Sequence, residues 1–259
     1  MNGPQPAAAS SARPVPRVPG PATAGSDRPA LRHLGVIPDG NRRWAHARGL
    51  PTVDGHQRGG ERSMELLGWC RKVPEIEIVT LWVMSIENYS RSPEEVEDGL
   101  RMITDFVDRI ATGRQWRIGL IGDLDILPPQ LAAWLRNHSH NSRTVSGPLV
   151  NIAIAYSGRN EITRAVQRLL DSRAESSCPL PAGGRVDPAE FARHLDTAGQ
   201  PDPDLIIRTS GETRLSGFMP WQTLHSELYF SSALWPDFDE DAFDEALAHY
   251  QGRQRRKGL

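Results

Sequence analysis

A short apolar run opens onto a polar loop in the stretch Leu34-Gly-Val-Ile-Pro-Asp-Gly-Asn-Arg-Arg-Trp44. The apolar part predicts a buried strand, and ligands bind at the carboxyl ends of strands in an open α/β sheet. Gly40 lets the backbone approach a ligand closely, and Arg42 and Arg43 suit a phosphate group. Asp39 would repel that phosphate unless a divalent cation lay between them, and Mg²⁺ prefers one or two carboxylates plus phosphate oxygens. The stretch therefore indicates Mg²⁺-assisted diphosphate chemistry. An ordinary strand–turn–helix junction with solvated arginines is the alternative.

The composition narrows the class of protein. The chain has 259 residues and a formal net charge of -2, which gives no case for nucleic acid binding. Its apolar runs are far shorter than the roughly 20 residues that span a membrane, and its start lacks the apolar region of a signal peptide. Cys70 and Cys178 fit neither a metal site nor a disulfide framework. We therefore expect a cytoplasmic protein without a transmembrane segment, and peripheral membrane contact stays open.

Strands and helices alternate after a tail that differs in composition. Residues 1–30 are rich in Pro, Ala, Ser, Gly and Arg, so we expect a disordered tail that cannot offset its ordering entropy by burial. Alternation over residues 31–259 predicts one α/β domain with a mostly parallel sheet flanked by helices. The runs that predict strands are Leu34–Ile37, Ile76–Met84, Ile118–Ile121, Leu149–Ala155, Leu205–Ile207 and, more weakly, Leu228–Phe230.

Two helix starts carry capping signals. Ser92 followed by Pro93 and Glu95 predicts an N-cap, a first helical residue and a capping box. The stretch Asp187-Pro-Ala-Glu190 repeats this signature. Residues 176–186 predict a loop rather than a domain boundary, because Ser, Cys, Pro and Gly dominate them.

Polar clusters follow the first two predicted strands. The second strand leads into Ser85-Ile-Glu-Asn-Tyr-Ser-Arg91, in which Glu87 could relay a proton, Asn88 orient a substrate and Arg91 bind an anion. A cap for the next helix is the alternative, but Ser92 already supplies that cap. His56 is predicted to lie just before a helix, where it could bind phosphate or move a proton. A surface loop histidine is its alternative.

Further polar residues follow the later strands. Tyr156-Ser-Gly-Arg-Asn-Glu161 suits either a ligand site or a helix start with Glu161 as dipole partner. Arg208 and Arg214 flank hydroxyl side chains on a loop, which suits a diphosphate, and a salt bridge to Glu212 would explain at most one of them. Glu227 could be a second Mg²⁺ ligand or a solvated carboxylate. Large apolar side chains near these loops predict a diphosphate that carries a hydrocarbon tail.

Together these motifs closely resemble the cis-prenyltransferases, which include undecaprenyl diphosphate synthase and bacterial short-chain Z-farnesyl diphosphate synthases. The resemblance covers about residues 31–258, and no Asp-rich motif of the trans-prenyltransferases is present. It implies a parallel six-stranded sheet flanked by helices, an apolar tunnel and a homodimer. The matching motifs, in chain order, are Asp39–Trp44, Ser85–Asn88 with Arg91, Tyr156–Arg159, Arg208–Ser216, Glu227–Phe230 and Trp235–Phe238.

The resemblance also implies residue roles in condensing isopentenyl diphosphate with an allylic diphosphate such as geranyl diphosphate. Asp39 would hold Mg²⁺ and assist catalysis, with Glu227 contributing to the metal from the dimer interface. The allylic diphosphate would be bound by Gly40, Asn41, Arg42, Arg43, His56 and Arg91, with Trp44 walling the site. The isopentenyl diphosphate would be bound by Arg208, Arg214, Leu215 and Ser216. It would be positioned and deprotonated by Ser85, Ile86, Glu87 and catalytic Asn88, with Tyr89 beside them.

The sequence departs from the family pattern in places. Arg42 stands where many members have Gly, and Thr52 stands where many have a diphosphate-binding Arg, so part of the contact with the allylic diphosphate is either missing or supplied by Arg42. Pro38 replaces a common Met, and Tyr89 replaces a usual Trp. Val83 occupies a tunnel position that is small in long-chain members. We therefore expect a short product, C15 rather than C50 or longer.

Two alternatives stay open at this point. The chain could be a non-catalytic partner subunit of a prenyltransferase complex, although its catalytic set is complete. It could also catalyse irregular, branched condensation of two allylic diphosphates or terpene cyclisation, because the loop with Pro38 and Arg42 resembles that of lavandulyl-type members too.

Overall fold

The computed structural model describes residues 30–175 and 185–252. The predicted tail, Cys178 and most of the predicted 176–186 loop lie outside these residues. The strands are β1 His33–Ile37, β2 Ile78–Trp82, β3 Arg117–Ile121, β4 Leu149–Ala153, β5 Leu205–Arg208 and β6 Glu227–Phe230. The helices are α1 Asn41–Ala47, α2 Thr52–Cys70, α3 Pro93–Gly113, α4 Pro129–Asn141, α5 Gly158–Glu175, α6 Pro188–Ala192 and α7 Glu240–Gly252.

All six strands form one parallel sheet in the order β3-β4-β2-β1-β5-β6. This confirms the predicted sheet and its helical layers. The predicted runs at β2 and β4 were each too long, since β2 ends at Trp82 and β4 at Ala153. The chain first adds strands on one side of β1 and later adds β5 and β6 on the other side. A crevice therefore opens at the carboxyl ends of β1 and β5, where ligands bind in such sheets.

The main core lies on one face of the sheet. Alternate strand residues such as Val36, Leu81 and Ile207 are fully buried there against apolar residues of α2, α3, α4 and α7. The opposite face of the sheet buries a smaller cluster that includes Ile37, Ile206 and Phe218. This alternation follows from the two-residue period of a strand. It places neighbouring side chains at each strand end on opposite sides of the crevice.

The N-caps predicted at Ser92 and Asp187 are confirmed. The side chain of Ser92 accepts a hydrogen bond from the Glu95 backbone N–H at 3.3 Å, and Pro93 is the first residue of α3. Asp187 accepts one from the Ala189 backbone N–H at 2.8 Å. The helix after Asp187 is short, because it ends at Ala192.

The prediction that His56 precedes a helix is wrong, since α2 begins at Thr52. The glycines that suggested a loop serve close packing instead. A Cβ atom at Gly55 would lie 2.2 Å from the Asn41 backbone oxygen, and one at Gly59 would lie 2.3 Å from the Asn41 side-chain oxygen. Glycine therefore lets α2 touch α1 and hold it beneath the crevice.

Candidate active site

A cleft of about 670 Å³ occupies the crevice between the carboxyl ends of β1, β2 and β5. Four arginines and one carboxylate line it, so its charge favours an anion. The predicted site residues that line it are Asp39, Gly40, Asn41, Arg42, Arg43, His56, Val83, Ser85, Asn88, Arg91, Arg208 and Ser216. His46 and Trp82 also line it, and neither was predicted as a site residue.

Hydrogen bonds to its backbone hold Asp39 in place at the end of β1. The Thr209 hydroxyl accepts a hydrogen bond from the Asp39 N–H at 2.9 Å and donates one to the Asp39 carbonyl at 2.7 Å. The Trp235 N–H also donates to that carbonyl at 3.0 Å. The carboxylate itself pairs with Arg208 at 2.8 Å and with Arg43 at 3.5 Å. It therefore lies between the cations of two separate chain segments.

Gly40 has a physical reason to be glycine. Its φ of 112° lies in the left-handed region, and a Cβ atom there would approach the Leu234 side chain to 2.9 Å. Only glycine adopts this conformation without strain. Its carbonyl accepts the backbone N–H of Trp44 at 2.9 Å, so the turn leads directly into α1.

Arg208 is the most deeply placed cation of the cleft, with 4% of its surface exposed. One of its terminal nitrogens donates to Asp39, and the other donates to the Ser216 hydroxyl at 2.8 Å and the Arg214 carbonyl at 2.5 Å. Its Nε is buried without an acceptor among the described residues. A buried donor without an acceptor is costly, so this nitrogen indicates a site for an anion.

The side chain of Arg214 was predicted to act with that of Arg208. In the structure the Arg214 backbone carbonyl, rather than its side chain, contacts Arg208. Arg214 is exposed and pairs with Glu212, the salt bridge considered as its alternative. Neither Arg214 nor Leu215 lines the cleft. Arg43 reaches the same loop from α1, donating to the Ser210 hydroxyl at 2.6 Å and lying 3.6 Å from Glu212.

Three further nitrogen-bearing side chains of the cleft interact with one another, and they are His56, Arg91 and Arg42. Burial and the charges of Arg91 and Arg42 lower the pKa of His56, so its imidazole is neutral at pH 7. Burial and the charge of Arg42 lower the pKa of Arg91. Arg42 itself lies 3.7 Å from Glu95 at the start of α3. These mutual repulsions would be relieved by a bound anion.

The loop after β2 forms a short 3-10 helix over Ile86–Ser90. The Asn88 side chain accepts the Ser85 N–H at 3.0 Å, so Asn88 caps this turn as well as lining the cleft. Ile86, Glu87 and Tyr89 do not line the cleft. Partial burial raises the pKa of the Tyr89 hydroxyl.

Trp44 does not wall the cleft. Its indole nitrogen donates to Asp237 at 2.7 Å, and the Arg48 guanidinium lies 4.3 Å from its ring. These contacts tie α1 to the loop before α7 on the outside of the site. The predicted role of Trp44 in contacting substrate is therefore not supported by its position.

A small second pocket of about 110 Å³ extends the cleft between α2 and α3. It shares Pro38, His56, Val83 and Asn88 with the cleft. Its inner walls are apolar and include Met84, Ile103 and Phe106. The pocket is small beside the roughly 300–1,000 Å³ of typical ligand sites. It occupies the place predicted for a tunnel.

Glu227 does not join Asp39 within this chain. It is the first residue of β6 and pairs in register with Leu205 at the start of β5, whereas Asp39 follows the end of β1. The Asp39 carboxylate therefore lies at the carboxyl ends of the parallel strands, and the Glu227 carboxylate lies at their amino ends. No group of three or more His, Cys, Asp or Glu side chains with metal-binding geometry occurs within residues 30–175 and 185–252.

Sequence reasoning missed the buried group that anchors the loop after Arg214. Glu161 is fully buried and accepts hydrogen bonds from the Tyr156 hydroxyl at 2.6 Å and Gln222 at 3.1 Å. The Tyr156 hydroxyl accepts the Met219 N–H at 3.1 Å. Glu161 lies in the first turn of α5, as the dipole-partner alternative has it, and it is buried there. Its only sequence signal was a carboxylate near a tyrosine, which does not reveal burial.

Comparisons with known proteins agree with this geometry. The family model described as "Putative undecaprenyl diphosphate synthase" matches residues 37–258. The chain is 45% identical over 228 residues to isoprenyl transferase 1 of Streptomyces avermitilis, covering 88% of each chain. It is 46% identical over 230 residues to (2Z,6E)-farnesyl diphosphate synthase of Thermobifida fusca, covering 88% of this chain and 89% of that one.

A solved structure is similar over nearly the whole fold. It is lavandulyl diphosphate synthase from Lavandula x intermedia in complex with dimethylallyl diphosphate, with a TM-score of 0.82 and 32% identity. The match covers 89% of this chain and 99% of that chain. The order of the motifs, the parallel sheet and these relatives agree. This chain therefore belongs to the undecaprenyl diphosphate synthase family of cis-prenyltransferases, and it is an isoprenyl transferase.

Proposed function

We propose that this enzyme condenses isopentenyl diphosphate with a short allylic diphosphate, such as geranyl diphosphate, and forms a short Z-prenyl diphosphate. The observation that carries the proposal is the position of Asp39 between two groups of cations. Arg42 and Arg91 lie near each other and near Glu95 of α3, whereas Arg43 and Arg208 both contact Asp39 and the loop after β5. Two diphosphates can therefore be held beside one carboxylate.

The allylic diphosphate occupies the side next to α1 and α2. The turn before α1 contains Gly40, and the first turn of α1 contains Asn41 and Arg42. Backbone N–H groups at the start of a helix have no intrahelical partners. Arg91 and neutral His56 complete this half-site. Thr52 lies at the start of α2, and Arg42 supplies the charge that an arginine at residue 52 would bring.

The isopentenyl diphosphate occupies the side next to β5. Arg208 is held by Asp39 and Ser216, and its buried Nε is the donor that a diphosphate oxygen would accept from. Arg214 lies outside the cleft and pairs with Glu212. Its predicted role therefore requires that it leave Glu212 for the substrate.

The donor set fits Mg²⁺ when the substrate supplies the remaining oxygens. Asp39 offers a partly exposed carboxylate in the cleft, and Mg²⁺ typically takes one or two carboxylates together with phosphate oxygens. Asp39 would hold the ion, which supplies charge neutralisation to the departing diphosphate. Arg208 holds the Asp39 carboxylate in place for this role.

The protein's part in the chemistry is orientation and charge stabilisation. The carbon–oxygen bond of the allylic substrate breaks, and the cations around Asp39 stabilise the diphosphate that leaves. The terminal alkene carbon of isopentenyl diphosphate then bonds to the allylic carbon, which leaves a positive charge on the adjacent tertiary carbon. The methylene on the other side of that tertiary carbon loses a proton to a base, and the new double bond forms there. Ser85 and Asn88 line the cleft where this substrate must be oriented so that a Z double bond forms.

A short product is supported by the second pocket. Val83 lines both the cleft and this pocket, and Ile103 and Phe106 are among the apolar residues of its lining. The prenyl chain therefore has little room to grow. The name of the Thermobifida fusca relative, (2Z,6E)-farnesyl diphosphate synthase, also favours C15.

A homodimer and a cytoplasmic location complete the proposal. Glu227 starts the edge strand β6 and is partly exposed, so a second copy could bring this carboxylate to the neighbouring site. No helix in the described parts of the chain is long and apolar enough to cross a bilayer. Peripheral contact of the enzyme with a membrane surface stays an open alternative.

Product analysis tests the proposal. Purified full-length protein with labelled isopentenyl diphosphate would be offered dimethylallyl, geranyl or farnesyl diphosphate in turn, with Mg²⁺ or with EDTA. We expect one Z addition to geranyl diphosphate, a C15 product, and no turnover in EDTA. A ladder of long products would contradict the chain-length claim while keeping the condensation.

Two other results would replace the proposal. A branched product from dimethylallyl diphosphate alone would assign irregular condensation, which the similarity to lavandulyl diphosphate synthase makes the second candidate. No product from a folded protein with any primer would favour a non-catalytic partner subunit.

A further inference from the structure

Trp82 and Val83 are neighbours in sequence and separate the cleft into two sides. Val83 packs against the main core on the side of α2 and α3. Trp82 packs against the opposite cluster, which contains Tyr156 and Phe218. Both side chains line the cleft. The end of β2 therefore presents one wall to each half-site.

The indole of Trp82 is held rigidly by aromatic contacts. It stacks on Phe218 with ring centroids 5.4 Å apart and an angle of 16°, and it meets the Tyr156 ring edge-on at 6.2 Å. Phe218 and Tyr156 are fully buried. The Tyr156 hydroxyl is fixed by Glu161, so the support beneath the indole cannot easily move.

The same indole lies on the side of the proposed isopentenyl diphosphate site. Its stacking partner Phe218 is two residues after Ser216, whose hydroxyl accepts from Arg208. The indole nitrogen of Trp82 is buried and has no acceptor among the described residues.

We propose that Trp82 is a specificity-determining residue for the five-carbon acceptor. Its indole forms the apolar wall against which the isopentenyl group lies while Arg208 holds the diphosphate. The Phe218 stack fixes the depth of this half-site, which excludes acceptors with bulkier carbon chains. The inference rests on the proposed function and assigns the residue that sets its acceptor specificity.

The test compares Trp82→Ala with Val83→Ala in the full chain. Both variants would be assayed with geranyl diphosphate and either isopentenyl diphosphate or the homoallylic analogue in which an ethyl group replaces the methyl group. For Trp82→Ala we expect the KM for isopentenyl diphosphate to rise about tenfold or more, while the KM for geranyl diphosphate and the product length stay unchanged. The ratio of kcat/KM for the analogue to that for isopentenyl diphosphate should rise by a similar factor.

Val83→Ala is the matched control, because it shortens the adjacent side chain on the other side. It should lengthen the product while leaving the analogue ratio unchanged. An unchanged analogue ratio in Trp82→Ala, or equal rises in both KM values, would overturn the proposal. If Trp82→Ala melts below the assay temperature, Trp82→Phe decides the question with the same directions and smaller shifts. Turnover of the wild-type enzyme distinguishes failure of this inference from failure of the proposed function. If the proposed function were wrong, the wild-type enzyme and every variant would be inactive.

Discussion

The Arg208 side chain connects several parts of the cleft, because it donates hydrogen bonds to Asp39, Ser216 and the Arg214 carbonyl. The sequence indicated that Arg208 and Arg214 would bind a diphosphate, and Arg208 does lie in the cleft with a buried nitrogen that has no acceptor in the described residues. The separation of Arg214 from it was not predictable. The loop that carries Arg214 has positive φ angles at Ser210 and Ser216, which the residue types there do not predict. Backbone strain at such positions persists only when surrounding contacts hold it.

His33 gives a prediction about pH at the scale of one residue. It is fully buried at the start of β1, with its ring nitrogens 2.7 Å from the Pro201 carbonyl and 2.7 Å from the Thr80 hydroxyl. Burial lowers the pKa of His33 below its ordinary 6.5. Between the lowered pKa and 6.5 the unfolded chain binds more protons, so the free energy of unfolding falls as pH falls through that window. The loss approaches about 1.4 kcal/mol per pH unit within it.

Urea unfolding of wild type and His33→Gln between pH 7.5 and 5.5 measures this effect. Gln cannot titrate and can still donate to Pro201. We expect the variant to be less stable at pH 7.5 but to lose less stability on acidification. Equal losses in the two proteins would contradict the assignment, since other titrating groups are common to both.

At the scale of an element, α1 carries the cationic side chains and α2 holds α1 in place. Their contact relies on Gly55 and Gly59, because a Cβ atom at either would meet Asn41 within 2.3 Å. The glycines around His56 suggested a loop, but they lie within α2. Glycine is selected both for close helix packing and for loop flexibility, so its presence alone does not distinguish the two. The amphipathic pattern and caps of α3 had no such ambiguity, and its start was predicted correctly.

Gly55→Ala and Gly68→Ala test this packing within one helix. Gly55→Ala should destabilise the protein by about 1–3 kcal/mol through overpacking and reduce turnover by displacing α1. Gly68 is exposed and has no atom within 4 Å of an added Cβ, so Gly68→Ala should stabilise by about 0.5–1 kcal/mol. Urea unfolding measures both. Equal effects would show that the contact between α1 and α2 does not require glycine.

The product-length prediction belongs to the pocket between α2 and α3. Val83→Ala removes two methyl groups where the cleft enters this pocket. With geranyl diphosphate and excess isopentenyl diphosphate, we expect part of the C15 product to shift to C20 and longer. Chromatographic sizing of dephosphorylated products measures the shift. An unchanged distribution would move the length limit to Ile103 and Phe106.

At the scale of the whole molecule, the sequence predicted the sheet well. Short β-branched runs between helical patterns can only bury both faces in a parallel sheet, so the six strands and their type were readable. Strand order was not, because spacing along the chain does not say on which side of β1 each strand is added. Glu227 was predicted to reach the metal from the dimer interface, and this stays a prediction, because within one chain Asp39 follows a strand and Glu227 begins one. A second copy remains the proposed route by which these carboxylates meet.

We propose that Asp39 at the end of β1 supports Mg²⁺-dependent isoprenyl transfer, and the rate of the Asp39→Asn variant tests this role. The amide keeps the size of the side chain and can still accept from Arg208, but it lacks the charge that we propose binds the metal. Asp237→Asn is the control, because Asp237 accepts from Trp44 and Arg48 outside the cleft. Single-turnover condensation of isopentenyl and geranyl diphosphates with saturating Mg²⁺ should slow on the order of 10³-fold in Asp39→Asn. It should stay within about twofold of wild type in Asp237→Asn. A folded Asp39→Asn enzyme that turns over at the wild-type rate would contradict the account.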